Sequence, residues 1–148
     1  MGIARSTLDA FIELARDKVP FRGKKTLRDN NVVQSDVAQS EASLRSARAW
    51  LYRSLEEITR EVRRAGHITL EQRMVIRLAS TFAIHRSMRV VDMAYHAAGS
   101  TAIFEANPFE RRFRDIHTVS QQVQGRQEHF ETVGQHLLGL DPDTLGWL

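Results

Sequence analysis

The 148-residue sequence contains no cysteine, so neither a disulfide nor a cysteine-ligated metal stabilises the fold. This absence favours a reducing, cytoplasmic location. Lysine is also scarce, occurring only at positions 18, 24 and 25, and the net charge of +3 therefore comes mainly from arginine. Acidic residues alternate with these arginines along much of the chain, which is typical of a solvated helix surface and argues against a nucleic-acid partner.

Long apolar runs are missing as well. None approaches the roughly 20 residues that span a bilayer, so we predict no membrane partner. The glycine-rich phosphate-binding motifs and the Gly-x-Ser-x-Gly nucleophile motif do not occur, which argues against a self-sufficient nucleotide or hydrolase site. The sequence also lacks Glu-x-x-His and His-Glu-x-x-His, the pairs used by di-iron bundles and zinc enzymes, and we predict no metal site.

What remains is a soluble globular composition, with 42% hydrophobic and 26% charged residues, and a length that fits one domain over 1–148. Apolar residues recur at helical spacing in 3–18, 32–65 and 69–98. Proline ends the first helix, Gly66 ends the second, and Gly99 ends the third. The polar segment 21–31 between the first two helices predicts a long loop that could contact a ligand or partner.

The buried positions of the second helix are predicted from a seven-residue repeat, with a second stripe beside it: Val37, Leu44, Leu51, Ile58, then Leu55 and Val62. For the third helix, Thr69 and Gln72 form a capping-box pattern. We predict that its buried side carries larger residues: Met74, Leu78, Phe82, His85, Met88, Tyr95.

The last helix is predicted to begin at Asn107-Pro108, a cap followed by a proline suited to the first turn. Gly125 is a candidate break in that helix. The residues predicted to face inward fall on either side of this glycine: Phe109, Phe113, Ile116, Ser120, Val123, then Phe130, Val133, Leu137, Leu138.

Four helical segments joined by short connections predict an all-α, antiparallel up-down four-helix bundle. Helices of 30 residues are about 45 Å long, which leaves flanks that pack on another copy of the chain. We therefore expect a homo-oligomer, either a dimer or a tetramer.

Two polar residues, Glu41 and Arg48, lie on the stripe of Leu55 and Val62. A partly buried ion pair or solvation at the end of the bundle is favoured over a catalytic role for them. A second polar feature is the arginine cluster that includes Arg111, which follows the Gly99-Ser100-Thr101 turn. Guanidinium groups and backbone N–H groups together could hold a dinucleotide pyrophosphate, whereas the alternative is a surface salt-bridge network.

Four segments, taken in order, resemble one known family: 4–11, 34–48, 98–102 and 110–118. They are similar to the C-terminal domain of acyl-CoA dehydrogenases, in the branch of flavin-dependent monooxygenases such as 4-hydroxyphenylacetate and dibenzothiophene hydroxylases. The resemblance implies that the family's N-terminal helical domain and central β-domain are absent here. It further implies an oligomer-forming chain that is inactive in isolation and that needs the missing flavin and substrate domains, or a flavin reductase, as partners.

The resemblance also assigns residues to FAD or FMN. The Gly99-Ser100-Thr101 turn is similar to the segment that approaches the flavin across a subunit interface, and Arg28 is similar to a phosphate contact. Gln122 corresponds to the flavin-proximal position, where dehydrogenases have a catalytic glutamate and the monooxygenase branch has histidine. An amide donates hydrogen bonds but does not shuttle protons near neutral pH, so no catalytic residue is assigned.

Three functions remain open from the sequence. The first is the C-terminal part of a flavin-dependent monooxygenase or related oxidoreductase acting on an aromatic substrate. The second is a non-enzymatic oligomeric helical module that has lost flavin chemistry. The third, a helical transcription regulator, has less support because no recognition helix is distinguished by its charge.

Overall fold

The computed structural model describes residues 1–142, which contain five α-helices and no strand. The helices are α1 (Gly2–Asp17), α2 (Asn31–Ala65), α3 (Leu70–Ala98), α4 (Phe109–Ser120) and α5 (Glu128–Leu137). Short 3-10 turns cover Leu27–Asp29, Gly99–Ile103 and Val123–Gly125. The all-α bundle is confirmed, with the predicted fourth helix divided into α4 and α5.

The predicted ends of α2 and α3 are confirmed by their caps. Thr69 Oγ1 accepts from the Gln72 amide at 3.2 Å, and Gln72 Oε1 accepts from the Thr69 amide at 2.9 Å. Gly66 has φ 78° and its N–H donates to Val62 O, which ends α2 in the left-handed conformation that glycine allows. Capping chemistry therefore sets the α2–α3 connection, which reverses the chain within four residues.

The beginning of α4 differs from the prediction. The helix begins at Phe109, Pro108 occupies the cap position, and no side chain caps it, so Asn107 is not the cap. The helix then ends at Ser120, before Val123. Gly125 is buried in the following turn, where a Cβ atom would lie 2.5 Å from Ser120 O. The chain reverses tightly here because glycine allows the two backbone segments to touch.

Helix α3 is the central element and contacts α1, α2, α4 and α5. Of the larger residues predicted on its buried side, only Met74 is fully buried, and the others are partly exposed. Neighbouring helices surround α3 closely, so its deepest positions hold small or β-branched residues. These residues are Ala79, Thr81, Ala83, Ser87, Val90, Val91, Ala94 and Ala98.

The seven-residue stripe of α2 is confirmed: Leu44 and Ile58 are buried, and Val37 and Leu51 are half-buried. Leu55 is 39% exposed, so the neighbouring stripe lies at the edge of the contact. In the last segment Val133 is buried, but Leu137 and Leu138 are 73% and 79% exposed. Their prediction as inward residues is wrong, because α5 ends at Leu137 and only its first part packs on α3.

The buried residues form two clusters. One contains Phe11, Ala98, Ala102 and Phe109, together with Leu27 from the segment that the sequence predicts as a polar loop. The other lies around Leu8, Leu44, Val90, Val91 and Ile116. Burial of Leu27 fixes the α1–α2 connection against the C-terminal end of α3, which determines where the site residues lie.

Candidate functional site

The structure brings two of the predicted flavin-contacting segments to one end of the bundle. Arg28 is exposed in the 3-10 turn of Leu27, and Gly99-Ser100-Thr101 form the first part of the turn that ends α3. Leu27 packs in the same cluster as Ala98 and Ala102, which flank that turn. Segments about 70 residues apart in sequence therefore meet through a shared core.

Lys18, which sequence reasoning did not single out, ties this end together. Its Nζ donates to Ala98 O and to Thr101 Oγ1, and its own carbonyl accepts from the Leu27 amide at 2.9 Å. A lysine at the C-terminal end of a helix satisfies an unpaired carbonyl and interacts favourably with the helix dipole. Burial lowers the pKa of Lys18 from its ordinary value. The signal in the sequence is a lysine just before the Val19-Pro20 helix stop.

Gly99 and Ser100 complete this surface. Gly99 has φ 56° and ψ −142°, a conformation that glycine adopts without strain, and Ser100 is exposed beside it. The Thr101 hydroxyl accepts from Lys18 and keeps its own proton for another acceptor. Arg28 makes no salt bridge within residues 1–142. A guanidinium group and hydroxyl donors thus lie at one end of the bundle, and phosphate oxygens accept from both kinds of group.

Arg111 lies on the first turn of α4, exposed, 3.9 Å from Asp115 in a weak surface ion pair. Its neighbour Arg114 pairs with Glu110 at 2.6 Å. The arginine cluster predicted as a pyrophosphate site is therefore largely engaged in salt bridges along α4. Phe109 belongs to the cluster of Ala98 and Ala102, so the beginning of α4 lies at the same end of the bundle as the Gly99 turn.

Gln122 lies elsewhere, exposed between α4 and the Val123–Gly125 turn. His85 of α3 donates from Nε2 to Gly125 O at 2.8 Å, which fixes this turn on the middle of α3. His85 is 13 residues before Ala98, or about 20 Å along the helix axis. The Gln122 segment and the Gly99 turn therefore do not form one continuous surface.

A cavity of about 720 Å³ opens beside Gln122 between α3, α4 and α5. His117, on its border, donates from Nε2 to Asp92 Oδ1 at 2.9 Å. The ring of Phe113 stacks between His117 and Tyr95, with centroids 4.4 and 4.5 Å away. The lining residues are His85, Met88, His117, Ser120, Gln121, Val123, Gly125, Arg126, Gln127 and Glu128. Both histidines are held by hydrogen bonds to fixed acceptors, and the sequence identifies neither as a site residue.

A second cavity, of about 400 Å³, lies on the other side of the same turn. Three cationic or titratable side chains border it, Arg73 and Arg77 from α3 and His129 from α5. The other lining residues are Ile68, Ile76, Ser80, Val123 and Gln124. The turn that follows Gln122 thus separates two cavities, and Val123 lines both.

The ion-pair interpretation of Glu41 is confirmed, but the partners are Arg5 and Arg45, not Arg48. Glu41 accepts a short hydrogen bond from Arg5 Nη1 and another from Arg45 Nε at 2.6 Å. These hydrogen bonds, that of Arg5 first, lower the pKa of the Glu41 carboxyl. Arg48 is exposed, with its guanidinium 4.7 Å from the centre of the Tyr52 ring. The ion pair between Arg5 and Glu41 links α1 to α2 and has a structural function.

Within residues 1–142, no three histidine, aspartate or glutamate side chains are grouped so that they could hold a metal ion. Over the same range, none of the helices has the length and apolarity required to traverse a bilayer.

Comparison with known proteins places this arrangement in a family. Residues 1–126 match the family described as acyl-CoA dehydrogenase, C-terminal domain. The indole-3-acetate monooxygenase of Pseudomonas putida is 31% identical over 142 residues, which cover 96% of this chain and 36% of that protein. The oxygenase component of an FADH2-dependent resorcinol hydroxylase from Rhizobium sp. is 24% identical over 96% of this chain and 37% of its own.

Among solved structures, XiaF from Streptomyces sp., in complex with FADH2 and glycerol, superposes with a TM-score of 0.87. At 21% identity it shows the fold, and the match covers 96% of this chain and 36% of that one. The chain thus spans about a third of the length of the relatives that it matches. From the family match and the shared helical architecture, the chain belongs to the acyl-CoA dehydrogenase family, of which it forms the C-terminal domain.

Proposed function

We propose that this chain is the flavin-contacting and oligomer-forming C-terminal part of a flavin-dependent monooxygenase that acts on an aromatic substrate. The observation that carries the proposal is that Leu27, the residue before Arg28, packs in one cluster with Ala98 and Ala102, which flank the Gly99-Ser100-Thr101 turn at the Lys18 end of the bundle. The names of the two relatives, an indole-3-acetate monooxygenase and the oxygenase component of an FADH2-dependent hydroxylase, support oxygenation as the reaction.

The donor set at the Lys18 end fits the phosphate part of FAD or FMN. Arg28 has no salt bridge within 1–142, Ser100 is exposed, and Thr101 keeps its hydroxyl proton. Guanidinium and hydroxyl groups match phosphate oxygens in both charge and geometry. Arg111, at the same end but engaged with Asp115, would be a secondary contact. When bound, the flavin would supply the redox chemistry, and these residues would position its phosphates.

Beside the Val123–Gly125 turn, Gln122 supports oxygenation over dehydrogenation. Abstraction of an α-proton requires a base, and an amide has no basic nitrogen near neutral pH. The Gln122 amide can donate and accept hydrogen bonds, so its role would be to orient a flavin or substrate. The turn that presents it is fixed by the His85 hydrogen bond to Gly125 O. That attachment gives the amide a defined position without giving it acid–base chemistry.

The separation of about 20 Å along α3 between the two regions supports an oligomer. One copy would approach a flavin with its Gly99 turn while a second copy presents Gln122 to the same flavin. A dimer or tetramer brings such regions together across an interface. We further propose that the isolated chain is inactive, that a separate reductase supplies reduced flavin, and that the complex works in the cytoplasm.

A non-enzymatic bundle that has lost flavin chemistry is the alternative function. The resemblance supports it, because it assigns Gln122 to the position of the family's catalytic glutamate or histidine, and a glutamine side chain does not titrate. This alternative and the main proposal share the oligomer but differ in flavin binding. Flavin titration therefore separates them.

The experiment is an anaerobic titration of the chain with reduced FAD and FMN, with sedimentation velocity to give the mass of the complex. We expect a dimer or tetramer that binds reduced flavin weakly. Arg28→Gln should weaken this binding about tenfold through loss of a charge-assisted hydrogen bond, and Arg63→Gln, an exposed arginine at the far end of α2, should not. Oligomers that bind neither flavin would support the alternative, and a monomer without flavin affinity would contradict both.

A further inference from the structure

The smaller cavity, which we call the Arg77 cavity, contains positive charge without a matching negative charge. Its border is formed by Ile68, Arg73, Ile76, Arg77, Ser80, Val123, Gln124 and His129, with no carboxylate among them. Arg73 and Arg77 are one helical turn apart on α3, and both are only partly exposed. Isoleucine and valine side chains supply apolar walls. The cavity volume of about 400 Å³ lies within the range of small-molecule sites.

Neither arginine has an ion-pair partner within residues 1–142. Seven other arginines do pair with an acid three or four positions away, as Arg53 does with Glu57 at 2.8 Å. No acid stands three or four positions from Arg73 or Arg77. Two half-buried cations one helical turn apart carry two costs, because they repel each other and each loses part of its hydration. An anion placed between them would relieve both costs.

Three acids on α2, α3 and α5 have other partners. Glu61 of α2 accepts from Gln72 Nε2 at 2.7 Å, and Glu128 of α5 lies 3.5 Å from Arg126. Glu71 of α3 lies 3.4 Å from His136 Nε2. These contacts leave the two cavity arginines available to a ligand.

His129 adds a hydrogen-bond acceptor to the cavity. Thr81 Oγ1 lies 3.1 Å from both Gln124 O and His129 Nδ1. A carbonyl only accepts, so Thr81 gives its proton to Gln124 and receives the His129 Nδ1 proton. Burial, and then the charge of Arg77, lower the pKa of His129, which favours the neutral ring. With the proton on Nδ1, the Nε2 lone pair remains as an acceptor for a ligand.

We propose that the Arg77 cavity binds an organic carboxylate with an apolar body. The carboxylate pairs with Arg77 and Arg73, while the apolar body lies against Ile68, Ile76 and Val123. His129 accepts from any N–H or O–H group that the ligand carries. Val123 and Gln124 directly follow Gln122, so the ligand lies next to the flavin-proximal residue. Its identification as the substrate rests on the proposed function, whereas its binding does not.

The test is isothermal titration of the chain with 2-naphthoate and with 2-naphthylmethanol, a neutral molecule of nearly the same shape. We expect 2-naphthoate to bind at least tenfold more tightly, since only the carboxylate forms charge-assisted hydrogen bonds with arginine. Arg77→Gln should weaken 2-naphthoate about tenfold and leave 2-naphthylmethanol nearly unchanged. Arg89→Gln, an exposed position on the same helix outside the cavity, is the matched control and should change neither.

Far-ultraviolet circular dichroism and the melting temperature verify that each variant folds. If Arg77→Gln does not fold, Arg73→Gln provides a second cavity variant. No binding of 2-naphthoate, equal affinity for the two probes, or equal effects of the Arg77 and Arg89 variants would overturn the proposal. Loss of flavin affinity with retained 2-naphthoate binding would reject the proposed function and leave the carboxylate site in place. The two conclusions are thus distinguishable.

Discussion

The C-terminal end of α3 and its N-terminal half are built differently, although one continuous helix joins them. At the C-terminal end, small residues such as Ala94 and Ala98 allow α1 and the Leu27 turn to approach closely. Lys18 donates a hydrogen bond to Ala98 O there and so holds α1 against the end of α3. In the N-terminal half and at the middle of α3, the Val123–Gly125 turn and α5 lie over the helix with cavities of about 400 and 720 Å³ between them. One end is closely packed, and the other contains space.

This difference separates two tasks. A packed end presents backbone and hydroxyl donors in fixed positions, which suits a ligand group of constant shape such as a phosphate. A region with cavities and half-buried cations has space for ligand groups that would not fit at the packed end. Helix α3 runs without interruption from Leu70 to Ala98, so it holds the two regions apart. Four predictions test this contrast, beginning with the largest effect.

Phe11→Ala should destabilise the chain most, by about 3–5 kcal/mol, because Phe11 is fully buried between α1, the Leu27 turn and the end of α3. Phe130→Ala is the matched change in the other region. Phe130 is partly exposed beside His85, with ring centroids 5.7 Å apart, and its removal should cost about 1–2 kcal/mol. Urea unfolding of both variants measures the difference. Equal losses would show that the two regions are packed alike.

Gly125→Ala should cost about 3 kcal/mol, since the new Cβ would lie 2.5 Å from Ser120 O and 3.1 Å from Ser120 Cα, both backbone atoms. Gly134→Ala is its control. No atom lies within 4 Å of a Cβ at Gly134, and alanine favours the helix, so this variant should gain about 0.5–1 kcal/mol. Thermal melting of the pair checks both signs. A neutral Gly125→Ala would mean that the turn between the cavities yields easily.

Local chemistry makes helix ends predictable from sequence. Thr69, Gln72 and Gly66 act within three or four residues of themselves, so their patterns identify the α2–α3 connection correctly. Asn107 fails as a cap because Pro108 occupies that position, and no local pattern distinguishes the two choices. Periodicity likewise predicts the stripe of α2, a helix that packs mainly on one neighbour.

Tertiary arrangement is what the sequence does not reveal. The deepest face of α3 holds alanine and serine because four helices surround it, whereas periodicity favours larger residues such as Leu78 and Phe82. The Gly99 turn and Arg28 are recognisable as candidate contacts, but their adjacency depends on the burial of Leu27. The reach of Lys18 across 80 residues is equally non-local. Their role in flavin binding stays a prediction.

Lys18→Met should cost about 1–2 kcal/mol, because the methionine keeps the apolar stem but leaves Ala98 O and Thr101 Oγ1 without their donor. Lys25→Met, in the exposed part of the same loop, should change stability by less than about 0.5 kcal/mol. Hydrogen exchange of the Gly99–Ile103 amides provides a local readout and should quicken only in the Lys18 variant. Unchanged exchange there would show that the turn holds its shape without the lysine.

The smallest expected effect is a pH dependence from His129. Burial and Arg77 lower the pKa of this histidine in the folded chain below its ordinary value of about 6.5, so the unfolded chain binds more protons below that pH. The contribution to stability is complete above about pH 6.5 and is lost as the pH falls toward the folded-state pKa. His129→Gln should flatten the dependence of the unfolding free energy on pH between about 7.5 and 5.5, whereas His67→Gln, at an exposed position, should leave it unchanged. Equal slopes in the two variants would mean that the Arg77 cavity accepts a third cation, beside Arg73 and Arg77, without cost, contrary to an anion site.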